Sequence, residues 1–392
     1  MTIHLKPGHV QPIWAGHPWV YSQAIDRVEG GVTAGDEVRV VDPHGNLLGR
    51  GFYSPRSAIP VRLLVRDAKT HLDAAFFRAR IERAIALRRL LGLPSDQTTG
   101  FRLVHSEGDG LPGLIVDRYG DVLVIQIATV GMKQREALVH EALLTLLLPR
   151  ALVDRTSEQA AKTEGFEPAS GVVWGDAVRH LEFVERGLKF EVPLELGQKT
   201  GFYFDQRALR ARVEQLAHAQ RVLDAYSFIG AFAIAAARGG AREVVAVDES
   251  ALAVEVGAEC AARNRVQDRV QFVKEDARRA LVEAKGAFDL VIADPPRFAP
   301  KRSARQQALV AYTKLAENAC RATKPGGLVV LCSCSAAVDL AALTRALGTG
   351  ATRVNLQATV LERWFQGADH PVPAAFGEGL YLKALVARID TR

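Results

Sequence analysis

From Arg221 onward, apolar runs and amphipathic stretches alternate so regularly that few folds remain open. Residues 222–225, 244–247, 270–273, 290–293 and 328–333 read as strands, with helices over 229–238, 250–264 and the later intervals. Strands separated by single helices need crossover connections, so the sheet is a doubly wound, mostly parallel α/β sheet. Residues 354–360 and 380–387 have no clear helix between them and are expected to close it with an antiparallel edge.

Such a sheet binds ligands outside the carboxyl ends of its strands. That edge is acidic here: Asp224, Asp248, Asp276 and Asp294 each stand at the carboxyl end of a successive strand. Any one of them alone is a ready helix cap, but four in series point to a ligand. The first turn, Asp224-Ala225-Tyr226-Ser227-Phe228-Ile229-Gly230, has one glycine. A dinucleotide fold needs three spaced ones to approach a pyrophosphate, which argues against a nicotinamide oxidoreductase. An adenosyl ligand without phosphates has no such need. Asp248 suits ribose hydroxyls and Asp276-Ala277 an adenine amino group, so the expected cofactor is S-adenosyl-L-methionine.

In Asp294-Pro295-Pro296-Arg297-Phe298 the prolines forbid continuation of the ladder and leave a carboxylate at the strand end. Read alone, Asp294 either caps the next helix or, with the turn's carbonyls, receives N–H groups from a planar nitrogen heterocycle. The following strand ends in Leu331-Cys332-Ser333-Cys334-Ser335. By alternation Cys332 and Cys334 share a side, Cys332 deeper in the core and Cys334 at the mouth. A buried small hydrophobe is the ordinary fate of a free cysteine. Beside Asp294, however, a thiolate suits one reaction: addition to carbon 6 of cytosine makes carbon 5 nucleophilic enough to take a methyl group.

The 392-residue chain is long enough for two or three domains. Cys260, Cys320, Cys332 and Cys334 form no CxxC pair, which argues against zinc and against a disulfide framework. No apolar run spans a bilayer and no signal-peptide core opens the chain, so a cytoplasmic protein without a membrane partner is expected. Residues 1–93 hold 13 Lys and Arg against 8 Asp and Glu, nearly all of the net charge of +6. That asymmetry fits a polyanion partner or simply an Arg-rich surface.

Residues 1–66 read as short strands, with a hairpin turning at 42–46, and suggest a small β-barrel. Trp19 is expected in its core rather than on RNA. Asp73 should cap a helix ending near Leu91, with Phe77, Ile81, Ala84, Ile85 and Arg88 on one face. A strand, the turn Glu107-Gly108-Asp109-Gly110 and a second strand form a hairpin; the turn lacks the ligand alternation of a calcium loop. Residues 149–170 look like an exposed connection. The stretch from Leu196 to Arg207, mixing small, cationic and aromatic residues before a helix, reads as a loop facing a ligand.

Along its whole length the chain resembles the bacterial 23S ribosomal RNA (cytosine-5-)-methyltransferase I family. The motifs are Arg102-Leu103-Val104-His105, the glycine-rich turn, Gly197-Gln198-Lys199-Thr200-Gly201 with Asp205-Gln206-Arg207, Asp294-Pro295-Pro296-Arg297-Phe298, Ser333-Cys334-Ser335 and Asp369-His370-Pro371. The resemblance implies a PUA-like RNA-binding β-barrel over 1–72, a central α+β domain over 73–183 and a Rossmann-like class I methyltransferase domain over 184–392. It implies methylation of a cytosine in large-subunit ribosomal RNA with Cys334 as nucleophile, and a possible homodimer. Gln198, Lys199, Thr200, Asp205 and Arg207 match the family's cofactor-side loop, adding to Asp224, Tyr226, Ser227, Phe228, Gly230, Asp248, Asp276, Ala277 and Asp294. Related cytosine-5 enzymes place a second cysteine after their Pro-Pro, where this chain has Arg297. The competing readings are a guanine or adenine N-methyltransferase, which needs no cysteine, and a non-catalytic RNA-binding factor.

Overall fold

Strands buried on both faces need no polar alternation, and the apolar runs of the second half assemble on that basis. The computed structural model describes residues 1–196, 200–298 and 305–392. Its contacts divide the chain into two units. One comprises Met1–Gly187, Val192–Phe204 and Ala368–Gly379; the other comprises Leu188–Glu191, Asp205–Gly367 and Leu380–Arg392.

In the second unit the strand order is Val270–Lys274, Glu243–Asp248, Arg221–Ala225, Phe288–Ala293, Thr323–Ser333, Lys383–Thr391, Leu356–Trp364. The first five run parallel, and Lys383–Thr391 pairs antiparallel with both its neighbours to close the edge, as the alternation predicts. Leu290, Val291, Ile292 and Ala293 are wholly enclosed. Leu223, Val291 and Leu331 share one core with Tyr312, Ala316 and Leu343 from the covering helices Arg305–Ala322 and Leu340–Arg353. Ser250, Asp276 and Asp339 start their helices by accepting N–H groups of Ala253, Arg278 and Ala342 at 3.2, 2.8 and 2.7 Å. Each such cap contributes about 1 kcal/mol. Register then sets the site. Ala293 pairs with Leu331 and Ser333 with Lys383, so Asp294, Cys334 and Lys383 leave neighbouring strands at one edge.

The first unit holds two sheets. Its N-terminal sheet runs Trp19–Val20, Val61–Val65, Leu47–Tyr53, Glu37–Val41, Thr2–Leu5, Ile25–Glu29. The turn of the expected hairpin is held by Asp42, which accepts the N–H groups of His44 and Asn46, both at 2.8 Å. Trp19, expected in the core, is half-buried in an aromatic cluster: its ring lies 4.5 Å from that of Phe376 and its indole N–H donates to Glu107 at 2.7 Å. Asp73 caps the helix Ala74–Leu90 through the N–H of Phe76 at 3.0 Å, and the predicted face is the buried one.

The second sheet runs Ser170–Gly175, Ala151–Arg155, Val122–Ile127, Leu114–Tyr119, Gly100–His105. It corrects the reading of 149–170 as an exposed connection. Ala151–Arg155 is a buried strand parallel to Val122–Ile127, followed by the helix Glu158–Glu164. Five residues that include Asp154 and Arg155 are too short for a period; partners on both edges make them a strand. Beneath this sheet Arg88, 1% exposed, donates to Arg102 O (2.8 Å), Asp109 (2.5 Å) and Asp369 O (2.7 Å). Arg102 in turn pairs with Asp117, and its N–H donates to the Asp369 carboxylate at 3.0 Å. Among the described residues, no helix is long and apolar enough to cross a membrane.

Candidate active site

After Ala225 the chain must reverse within five residues to enter the helix Ala231–Arg238. Tyr226 (φ 65°), Phe228 (φ 52°) and Gly230 (φ 69°) take left-handed backbone to do so, which costs a non-glycine residue about 1–3 kcal/mol. Bonds to the neighbouring strand hold the loop: Ser227 N–H donates to Val247 O at 2.9 Å and Phe228 N–H to Asp248 Oδ2 at 2.8 Å. Position 230 admits only glycine, because a Cβ there would lie 2.5 Å from the Phe272 ring.

This tight loop leaves polar atoms unsatisfied. Asp224 is 1% exposed; one carboxylate oxygen accepts Ala233 N–H at 3.0 Å and the other has no donor among the described residues. Ser227 Oγ and the Tyr226 hydroxyl are likewise buried without a partner among the described residues. Burial, reinforced by the charges of Asp294 and Asp248, pushes the Asp224 carboxyl up to about 8. Native proteins rarely leave such groups unpaired unless something else completes them.

Asp248 is half-buried and accepts N–H groups from Phe228 and from Ser250 at 2.9 Å. Asp276 caps the helix that begins at the buried Ala277 and pairs with Arg278 at 2.7 Å. Hydrogen bonding from Arg278 holds its carboxyl below the ordinary range. Asp205 is buried and accepts the Tyr381 hydroxyl at 2.6 Å; Arg207 is half-buried at the start of Arg207–Leu216. Thr200 belongs to the first unit, where it is fully buried and its hydroxyl donates to Asp117. Gln198 and Lys199 lie outside the described residues.

Asp294 stands at the sheet edge with Gln206 Nε2 donating to it at 2.5 Å. The carbonyl end of Gln206 faces Cys332 Sγ at 3.9 Å. Cys332 is wholly buried and its thiol is pushed well up by that burial and by nearby carboxylates, which leaves it inert. Cys334, one position past the strand, is half-buried. The ring of Phe298 rests 5.0 Å from that of the enclosed Tyr312.

Residues 3–66 match the family of PUA-like domains, and residues 102–365 match the family of S-adenosylmethionine-dependent methyltransferases. The chain is 37% identical to the ribosomal RNA large subunit methyltransferase I of Shewanella denitrificans, over 99% of both chains. It is 34% identical to the protein of that name from Citrobacter koseri, over 98% of both. The chain belongs to the ribosomal RNA large subunit methyltransferase I family. The crystal structure of SMU.776 complexed with SAH shares its fold, with a TM-score of 0.86 at 20% identity over 99% of both chains.

As a member of the methyltransferase I family, the chain is an S-adenosylmethionine-dependent methyltransferase. The unsatisfied oxygens of Asp224 and Ser227, above a loop that excludes any side chain at 230, fit a polar ligand of this kind. Three neighbours of the site were not singled out as site residues from sequence. Gln206 was visible only as the middle of Asp205-Gln206-Arg207. Tyr381 and Lys383 lie in a run that reads merely as an edge strand, and only the ladder shows that Lys383 faces Ser333.

Proposed function

We propose that the chain methylates carbon 5 of a cytosine in large-subunit ribosomal RNA, with Cys334 as nucleophile and Asp294 as the group that holds the base. The observation that carries this reading is the pairing of two unlike thiols at one strand end: Cys332 sealed in the core, Cys334 half-buried where its strand leaves the sheet next to the strand that leads into Asp294. The Cys334 thiolate adds through sulfur to carbon 6, and the carbon 5–carbon 6 π electrons move onto carbon 5 in conjugation with the carbon 4–nitrogen 3 bond, giving an enamine. Asp294, itself oriented by Gln206, accepts N–H groups of the base and favours protonation at ring nitrogen 3. S-adenosylmethionine, when bound, supplies the electrophilic methyl group. Carbon 5 takes that methyl from the sulfonium, which leaves as the neutral thioether. The carbon 5 proton then passes to water, its bonding electrons re-form the carbon 5–carbon 6 double bond, and the sulfur–carbon 6 electrons return to Cys334 as thiolate.

The cofactor contacts in this reading are Asp224, Tyr226, Ser227, Phe228, Gly230, Asp248, Asp276, Ala277 and Asp294, joined by Gln198, Lys199, Thr200, Asp205 and Arg207. The RNA reading draws on the PUA-like match at 3–66 and on the names of relatives 32–37% identical. A three-part division at 72/73 and 183/184, a cytoplasmic location and a homodimer belong to the same proposal. The alternative, methylation of a guanine or adenine nitrogen, asks for an aromatic that stacks on the base after Asp-Pro-Pro. Here Phe298 is one position late and its ring packs on Tyr312.

The test is methyl transfer from labelled S-adenosylmethionine to ribosomal RNA, with the modified nucleoside identified by mass spectrometry for wild type and Cys334→Ser. 5-Methylcytidine from wild type alone is the expected result. A methylated guanosine or adenosine made equally by both would overturn it.

A further inference from the structure

The strand Lys383–Thr391 opens with a lysine where few lysines are found. Lys383 is 5% exposed, lies across the ladder from Ser333, and donates from Nζ to Ser335 O at 2.8 Å. Its backbone is thus registered with the residue before Cys334, while its ammonium holds the carbonyl of the residue after it. The ionisable groups facing it are Cys334 and Asp339, whose negative forms favour the ammonium, and Arg297, which opposes it. Burial outweighs these and draws the amine down from 10.5 to about 8. The thiol of Cys332, on the same strand, is pushed up by burial and by Asp294, Asp224, Cys334 and Asp205.

We infer that Lys383 is the positioning residue of the nucleophile: it fixes the turn that presents Cys334 and favours that thiol's ionised form. This rests on Cys334 acting as nucleophile. The thiolate, not the thiol, adds to an electrophilic carbon. An ammonium held in a low-dielectric edge stabilises the thiolate once the thiol proton has left to water. The attraction is mutual, so each partner's titration must report the other. Arg297, exposed two residues after Pro295, opposes the ammonium by charge, whereas Lys383 donates directly to Ser335 O.

The experiment is alkylation of the full-length protein by iodoacetamide across pH, with Cys334 read by peptide mass spectrometry, for wild type, Lys383→Met and Lys383→Arg. Lys383→Met should raise the midpoint by about one unit and slow modification at pH 7 on the order of tenfold; Lys383→Arg should stay within about twofold of wild type. Equal midpoints in wild type and Lys383→Met would overturn the inference. A second measurement needs no Lys383 variant: NMR titration of ¹³C-lysine-labelled protein. The Lys383 midpoint should fall in Cys334→Ser, and an unchanged midpoint again overturns the coupling. Neither readout requires turnover. If Cys334→Ser still methylates RNA, the proposed nucleophile fails while the Lys383–Cys334 coupling is judged separately.

Discussion

Asp117 and Asp224 are both strand carboxylates sealed from solvent, and the protein treats them in opposite ways. Asp117 receives Arg102 through two nitrogens and the hydroxyl of Thr200. Among the described residues Asp224 receives one backbone N–H and nothing on its other oxygen. The first is closed into a network with Arg88, Asp109 and Asp369 that serves the fold. The second is left short at a sheet edge, where burial and neighbouring acids raise its proton affinity. A buried acid that the protein fully satisfies is structural; one it leaves incomplete is available to a ligand.

Four substitutions sharpen or break this contrast, in descending order of effect. Cys334→Ala should lower methyl transfer by more than about 10³-fold while leaving cofactor affinity and unfolding unchanged; full activity on RNA would remove Cys334 from the chemistry. Arg88→Met should leave Asp109 buried and unpaired and cost about 3–5 kcal/mol in denaturant unfolding. Loss of activity without loss of stability there would mean that the network is not purely structural. Asp248→Ala should weaken S-adenosylmethionine binding by roughly 10-fold to 100-fold in calorimetry, the scale of hydrogen bonds to a charged group, with base preference unaltered. The smallest effect is a pH slope. The folded-state value of Asp224, about 8, lies above its unfolded value, so its contribution to stability is complete below about pH 4. That contribution declines as pH rises toward 8, by at most about 1.4 kcal/mol per unit. Asp224→Asn should flatten that decline; a wild-type slope that survives the substitution assigns it to another group.

The contrast was only half legible in the chain. Acids at the ends of four successive strands can be read directly, because a parallel sheet announces itself through apolar runs and turn signals. Which acids stay incomplete cannot. Asp276 turned out to be a helix cap paired with Arg278, as a lone acid at that position also would. The buried strand Ala151–Arg155 was missed for the same reason that Arg88 and Asp117 were never singled out as partners. Their environments are made by segments distant in sequence, and Asp369 lies 281 residues from Arg88.

The sequence by itself determined the architecture of the catalytic sheet, its antiparallel closure, the cofactor class and the two cysteines at one strand end. Those follow from local periodicity, from prolines that stop a ladder, and from alternation along a strand. Alternation also places Cys332 in the core and Cys334 at the mouth, and only the tertiary structure decided how completely Cys332 is sealed, at 0% exposed. It also decided that Gln206 spans Asp294 and Cys332, and that a lysine 49 residues after Cys334 stands opposite Ser333. Register and burial are properties of paired strands, and no single strand carries them.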